Sequence, residues 1–124
     1  MSKFINENGT ASHSPFAYYD KHLDCIRVRV QDCSVIEKRL SRIFTVFKSA
    51  HSEYPAEVGF SIKGITHLFK VLGLPPKGTV KLAHLMDEIV KTYPDAFVKR
   101  VREEFKAVID NPGIEVVVDL NEAA

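Results

Sequence analysis

The sequence predicts an α+β domain: a small sheet of two or three strands with four helices packed on one face, in the order β-α-β-α-α-α-β. Three observations predict it. Residues 25–31 alternate, with Ile26, Val28 and Val30 on one side and Cys25, Arg27, Arg29 and Gln31 on the other, which is the period of a half-buried strand. Directly after it, Ile36, Leu40, Ile43, Phe44, Phe47 and Ala50 recur at three- and four-residue steps, the apolar stripe of a helix. Near the other end, residues 114–120 (IEVVVDL) form a β-branched run that reads as a buried strand.

Residues 1–19 are rich in Ser, Asn, Gly and Thr and are expected as a disordered arm anchored by Phe16, Tyr18 and Tyr19; residues 20–124 are expected as a single domain. The helix after the first strand has a start signal. Ser34 can cap the free amides of its first turn, and Glu37 is placed to reach back, as in a capping box. A loop over residues 51–57 contains Pro55. Val58, Phe60 and Ile62 alternate, while Val58, Ile62, Ile65, Phe69 and Leu72 also fit a helical stripe; the expectation is a short strand at 57–61 and a helix over 62–72, ended by Gly73 and Pro75-Pro76. Gly78-Thr79 opens a further helix to Tyr93, and Pro94 suits the first position of a last one that runs to Ile109. Asn111-Pro112-Gly113 is a turn. Two strands alone make a marginal sheet, so the first and last must pair with each other, with the middle one, or with a second copy of the chain.

At 124 residues, 45% hydrophobic and 27% charged, the chain can bury a core without metals or crosslinks. No apolar run approaches the ~20 residues of a membrane span, and the first 17 residues show no basic-then-apolar leader pattern. Two cysteines are too few for a disulfide scaffold. The expectation is a cytoplasmic chain with free thiols, no membrane association and no cofactor. His13, His22, His51, His67 and His84 form no ligand spacing, so no metal site is expected.

Function is less legible. Net charge is +1, yet residues 21–52 hold seven basic residues against three acidic ones. Arg27 and Arg29 on the strand with Lys38, Arg39 and Arg42 on the helix would make one basic face, suited to an acidic protein partner or to self-association into a homo-oligomer. No aromatic residue alternates with these arginines, so stacking of single-stranded bases is not expected. The leading expectation is therefore a non-enzymatic binding or assembly module.

Two other constellations carry alternatives. Residues 68–85, LFKVLGLPPKGTVKLAHL, resemble the helix–turn–helix of DNA-binding domains through Leu72-Gly73 and Thr79-Val80. That resemblance implies a nucleic-acid-binding regulator reading through Thr79, Lys81, His84 and Lys91. Phe69 stands where that pattern has a small residue, and Asp87 and Glu88 would repel phosphates. Cys33 to Arg39 is a C-x5-R spacing similar to the phosphate loop of cysteine-dependent phosphatases, which implies a thiol enzyme with Cys33 as nucleophile and Arg39 as phosphate clamp. That loop holds no glycine. Asp20 and Asp24 complete the set as candidate acid or base groups.

Overall fold

A computed structural model describes residues 15–30, 33–50, 57–111 and 113–120. The elements are β1 (Phe16–Asp20), β2 (Cys25–Arg29), β3 (Val35–Arg39), β4 (Phe44–Ser49), β5 (Glu57–Lys63), α1 (Ile65–Leu72), β6 (Lys77–Lys81), α2 (Leu82–Thr92), α3 (Ala96–Glu104), α4 (Lys106–Ile109) and β7 (Glu115–Asp119). The class is α+β, but the sheet is larger than expected. Five antiparallel strands run in the order β1-β2-β5-β4-β3, and β6 and β7 form a separate two-stranded ribbon.

The enlargement comes mainly from residues 35–49. Where the stripe from Ile36 to Ala50 predicts a helix, the chain makes a hairpin of β3 and β4. Phe44, Thr45, Val46 and Phe47 are all buried, Phe44 and Val46 toward the helices and Thr45 and Phe47 on the opposite side. A helix would have left Val46 off its apolar stripe; a central strand buries four consecutive residues, and β-branched Val35, Ile36, Thr45 and Val46 prefer it. Ser41 turns the chain, its Oγ accepting from the N–H groups of Ile43 and Phe44 at 3.2 Å each. The expected capping box does not form, because the carbonyl of Ser34 instead accepts from the N–H of Ala50 at the hairpin's open end, and Glu37 pairs with Arg27.

Other boundaries shift as well. β1 takes in the last residues of the segment expected as an arm; residues 1–14, the 51–56 loop with Pro55, and Pro112 lie outside the described residues. The helix expected from Gly78 begins only at Leu82, since Lys77–Lys81 is strand β6. The last expected helix starts after Asp95, whose side chain accepts from the N–H of Val98 at 2.9 Å. That helix divides at Phe105 into α3 and α4. β7 pairs with β6 and lies against β1 without joining the five-stranded sheet.

Ile26, Val28, Phe44, Val46, Phe60 and Ile62 line the face of the sheet that receives the helices, and with Ile65, Phe69, Leu85, Met86, Ile89, Val101, Phe105, Ile109, Val116 and Val118 they form one core. Phe60 at its centre packs on Phe44 and Phe105, ring centroids 6.1 and 4.8 Å away. Arg100 on α3 joins Glu57 on β5 at 2.6 Å. Arg102 spans Asp87 on α2 and Asp110 after α4, at 3.3 and 2.7 Å. No described helix is long and apolar enough to cross a membrane.

Candidate functional site

Strand alternation sends every second residue of the five-stranded sheet away from the helices, and the register assembles those residues into rows. One row reads Tyr18, Arg27, Ser61, Thr45, Arg39 across all five strands. The next reads Phe16, Arg29, Gly59, Phe47, Glu37. This outer face is the candidate site.

Gly59 is the keystone of the second row. A Cβ there would stand 2.3 Å from the carbonyl oxygen of Val28 and 3.1 Å from a ring carbon of Phe47. With only hydrogen at that position, the Phe47 ring lies over the strand, a way of compensating for a glycine within a sheet. Arg27 and Arg29 then close over the ring, their guanidinium carbons 4.7 and 5.6 Å from its centroid. Such cation–π contacts are worth roughly 0.5–2 kcal/mol each, more as water is excluded. The result is a phenylalanine buried on the face away from the main core.

The arginines are held in place. Arg27, with 15% of its side chain exposed, pairs with Glu37 at 3.5 Å, while an amino group of Arg29 donates to the carbonyl of Cys33 at 2.7 Å. Beside them Phe16 and Tyr18 stack, ring centroids 6.0 Å apart, and are 42% and 43% exposed. Exposed aromatics flanked by fixed arginines are the composition of a recognition surface.

The five residues predicted as one basic face divide three ways. Arg27, Arg29 and Arg39 belong to the outer face. Lys38 pairs with Val46 and so alternates to the other side of the sheet, beyond the helices. Arg42 sits in the β3–β4 turn and lines a cavity with Lys63 and His67. Phe16, Tyr18 and Phe47 lie outside the expected basic face because the first two belong to the expected arm and the third to the expected helix; the alternation of Phe16 with Tyr18 is a local strand signal for the first two, and none marks Phe47.

The other candidates separate. The C-x5-R reading needs a loop feeding a helix, but Val35–Arg39 is extended strand. Six residues of nearly extended chain place Arg39 roughly 20 Å from Cys33, out of reach of a shared phosphate. Both cysteines are free, and burial pushes the Cys25 thiol up, away from thiolate chemistry. The helix–turn–helix reading fails because Thr79 and Lys81 lie in β6, opposite Val117 and Glu115. Thr79, Lys81 and His84 do border a common cavity of about 290 Å³, but Lys91 instead bonds Glu88 at 3.3 Å.

Asp20 and Asp24 have structural work. Asp20 accepts from the N–H of Leu23 in the β1–β2 turn at 3.2 Å. Asp24, at the left-handed φ of 51°, accepts from the Tyr19 hydroxyl at 2.7 Å, the Thr66 N–H at 3.1 Å and the Thr66 hydroxyl at 2.8 Å. It thereby caps α1 from a distant hairpin, a role Gly64 at the helix start cannot fill with a side chain. Burial, reinforced by the hydrogen bond to Asp24, pushes the Tyr19 phenol up to about 12. The folded chain thus holds this proton more tightly than the unfolded one, so the contribution is intact below pH 10 and lost as pH climbs through about 12. In an alkaline titration followed by phenolate absorbance, Tyr19 should ionise in a late step near that value. Tyr19→Phe should remove the step.

Comparison with protein-family models, with curated proteins and with solved structures finds no match to this chain.

Proposed function

We propose that this chain is a non-enzymatic binding module that docks an acidic protein segment on the outer face of its sheet. The observation that carries the reading is the cross-strand placement of Tyr18 beside Arg27 and Phe16 beside Arg29, on the face that also bears Arg39. The exposed rings supply apolar contact area at small conformational cost, and the arginines supply forked donors for carboxylates. Arg27 and Arg29, already seated on Phe47, lose little further freedom on binding, which favours affinity.

Arg39 and Tyr18 are the residues to change, because both are exposed and neither supports Phe47. The paired substitution Arg39→Glu/Tyr18→Ala should leave the melting temperature within a few degrees and weaken binding of a Glu/Asp-rich peptide containing apolar residues at least tenfold. Amide shifts on titration should map to β1, β2 and β3. Shifts confined to the helices, or an unaltered affinity in the double variant, would sink the reading. The same ring–arginine neighbours favour a second reading, a single-stranded nucleic acid stacking on Phe16 and Tyr18. Tight binding of oligothymidylate, falling steeply with salt, would select it over the peptide.

A further inference from the structure

We propose that the acidic segment docked on the outer face carries a phosphorylated side chain, received over Thr45 between Arg39 and Lys63; the inference rests on the reading of that face as the docking surface. The register gathers these three residues. Arg39 stands opposite Thr45, Thr45 stands opposite Ser61, and Lys63, two residues beyond Ser61 and opposite Cys25, alternates to the same side. Directly opposed positions lie roughly 5 Å apart and diagonal ones roughly 7–8 Å. An arginine and a lysine therefore flank one threonine within reach of their long side chains.

Both cations have capacity left for a ligand. Arg39 is exposed, and its Nε donates to the Ser41 carbonyl at 3.3 Å, which leaves the two amino groups of the fork. Among the described residues no hydrogen bond or ion pair engages the Lys63 ammonium, whereas Arg27 is held by Glu37 and Arg29 by the Cys33 carbonyl. On the strands of this face Arg27, Arg29, Arg39 and Lys63 stand against Asp20 and Glu37, so positive charge is in excess. A phosphomonoester brings close to two negative charges at neutral pH and three acceptor oxygens. It answers that excess better than one carboxylate does, and the arginine fork can take two of its oxygens at once.

The floor between the two cations supplies a further observation. Thr45 is 2% exposed, and its hydroxyl has no hydrogen-bond partner. A buried hydroxyl left unpaired is costly, and a phosphate oxygen seated over Thr45 is the acceptor it lacks. The same row also sets the spacing of the partner. Tyr18 and Thr45 are separated by three steps between neighbouring strands, β1 to β2 to β5 to β4, about 14 Å in all. An extended segment crossing the strands advances ~3.3 Å per residue, so its apolar anchor on Phe16 and Tyr18 falls about four residues from the phosphorylated side chain. Carboxylates between the two pass over Arg27, which lies in that row.

The test is an amide-shift titration of the labelled chain with extended peptides that carry two leucines, a Glu-rich spacer and, about four residues on, a phosphoserine, a serine or a glutamate. The phosphoserine peptide should bind at least tenfold more tightly than the serine peptide and at least threefold more tightly than the glutamate peptide, and shift the amides of Arg39, Thr45 and Lys63. Lys63→Gln should remove most of this preference while changing the affinity for the serine peptide less than about twofold. Thr45→Val, which keeps the shape and deletes the hydroxyl, should do the same, and Lys70→Gln on α1 should alter neither affinity. Setting the phosphoserine directly beside the leucines should also cancel the preference. Equal affinity for the phosphoserine and serine peptides, or a preference that survives Lys63→Gln, Thr45→Val or the altered spacing, would overturn the phosphate subsite and leave the docking face standing. Absence of saturable shifts with all three peptides would overturn both.

Discussion

Gly59→Val is expected to destabilise the chain by about 3 kcal/mol or more, at the upper end of what overpacking costs, and to lower the melting temperature by roughly 10 °C or more. The obstruction is backbone, not a flexible side chain: the new Cβ would meet the Val28 carbonyl at 2.3 Å inside the β2–β5 pairing. Movement of Phe47 can relieve only the second, softer contact. Gly59→Ala should therefore already show most of the loss, and Phe47→Leu in the same chain should restore little of it. Urea unfolding of the parent and these three variants decides the matter; an alanine variant within about 1 kcal/mol of the parent would show that β2 and β5 separate easily.

The second large effect is expected at Asp24. Asp24→Ala removes an acceptor that serves the Tyr19 hydroxyl and two donors of Thr66, and leaves a non-glycine side chain at a left-handed φ of 51°. Hydrogen bonds to a charged group contribute about 1.5–3 kcal/mol each when their loss leaves a partner unsatisfied, and loss of a helix cap costs about 1 kcal/mol. These overlap, so about 3 kcal/mol is expected for alanine. Asp24→Asn should cost about half of that on the same hydrogen-bond scale, because asparagine tolerates the left-handed region and keeps one acceptor oxygen. Equal losses for alanine and asparagine in thermal or urea melts would count against the cap.

How much of this was legible in the residues differs by segment, for physical reasons. β2 shows itself because one of its faces meets the core and the other meets arginines, which leaves alternation in the sequence. α1 shows itself through its stripe and Gly73, whose φ of 72° ends it. The β3–β4 hairpin hides because β4 is covered on both sides, so Phe44-Thr45-Val46-Phe47 has no alternation, and its spacing from Ile36 and Leu40 imitates a helix. The turn at Ser41-Arg42 contains neither glycine nor proline to betray it. β6 hides through brevity and polarity, as Lys77, Gly78, Thr79 and Lys81 are all exposed. At the candidate site, Arg27 and Arg29 could be read from the sequence. The alternation of Phe16 with Tyr18 hints at a strand, but the placement of Tyr18 beside Arg27 and of Phe47 beneath both arginines comes from pairing registers that no local pattern encodes.

A sheet ordered β1-β2-β5-β4-β3 ends on β3, whose outward backbone groups are a template on which a stray extended chain can dock. Ile36 on that strand is 59% exposed and would invite such docking, yet Glu37, Lys38 and Arg39 follow it in unbroken succession. Any chain aligning there must strip water from three charges in a row, which discourages runaway stacking of copies into fibrils. The strand that supplies Arg39 to the candidate face is thus also a gatekeeper for solubility.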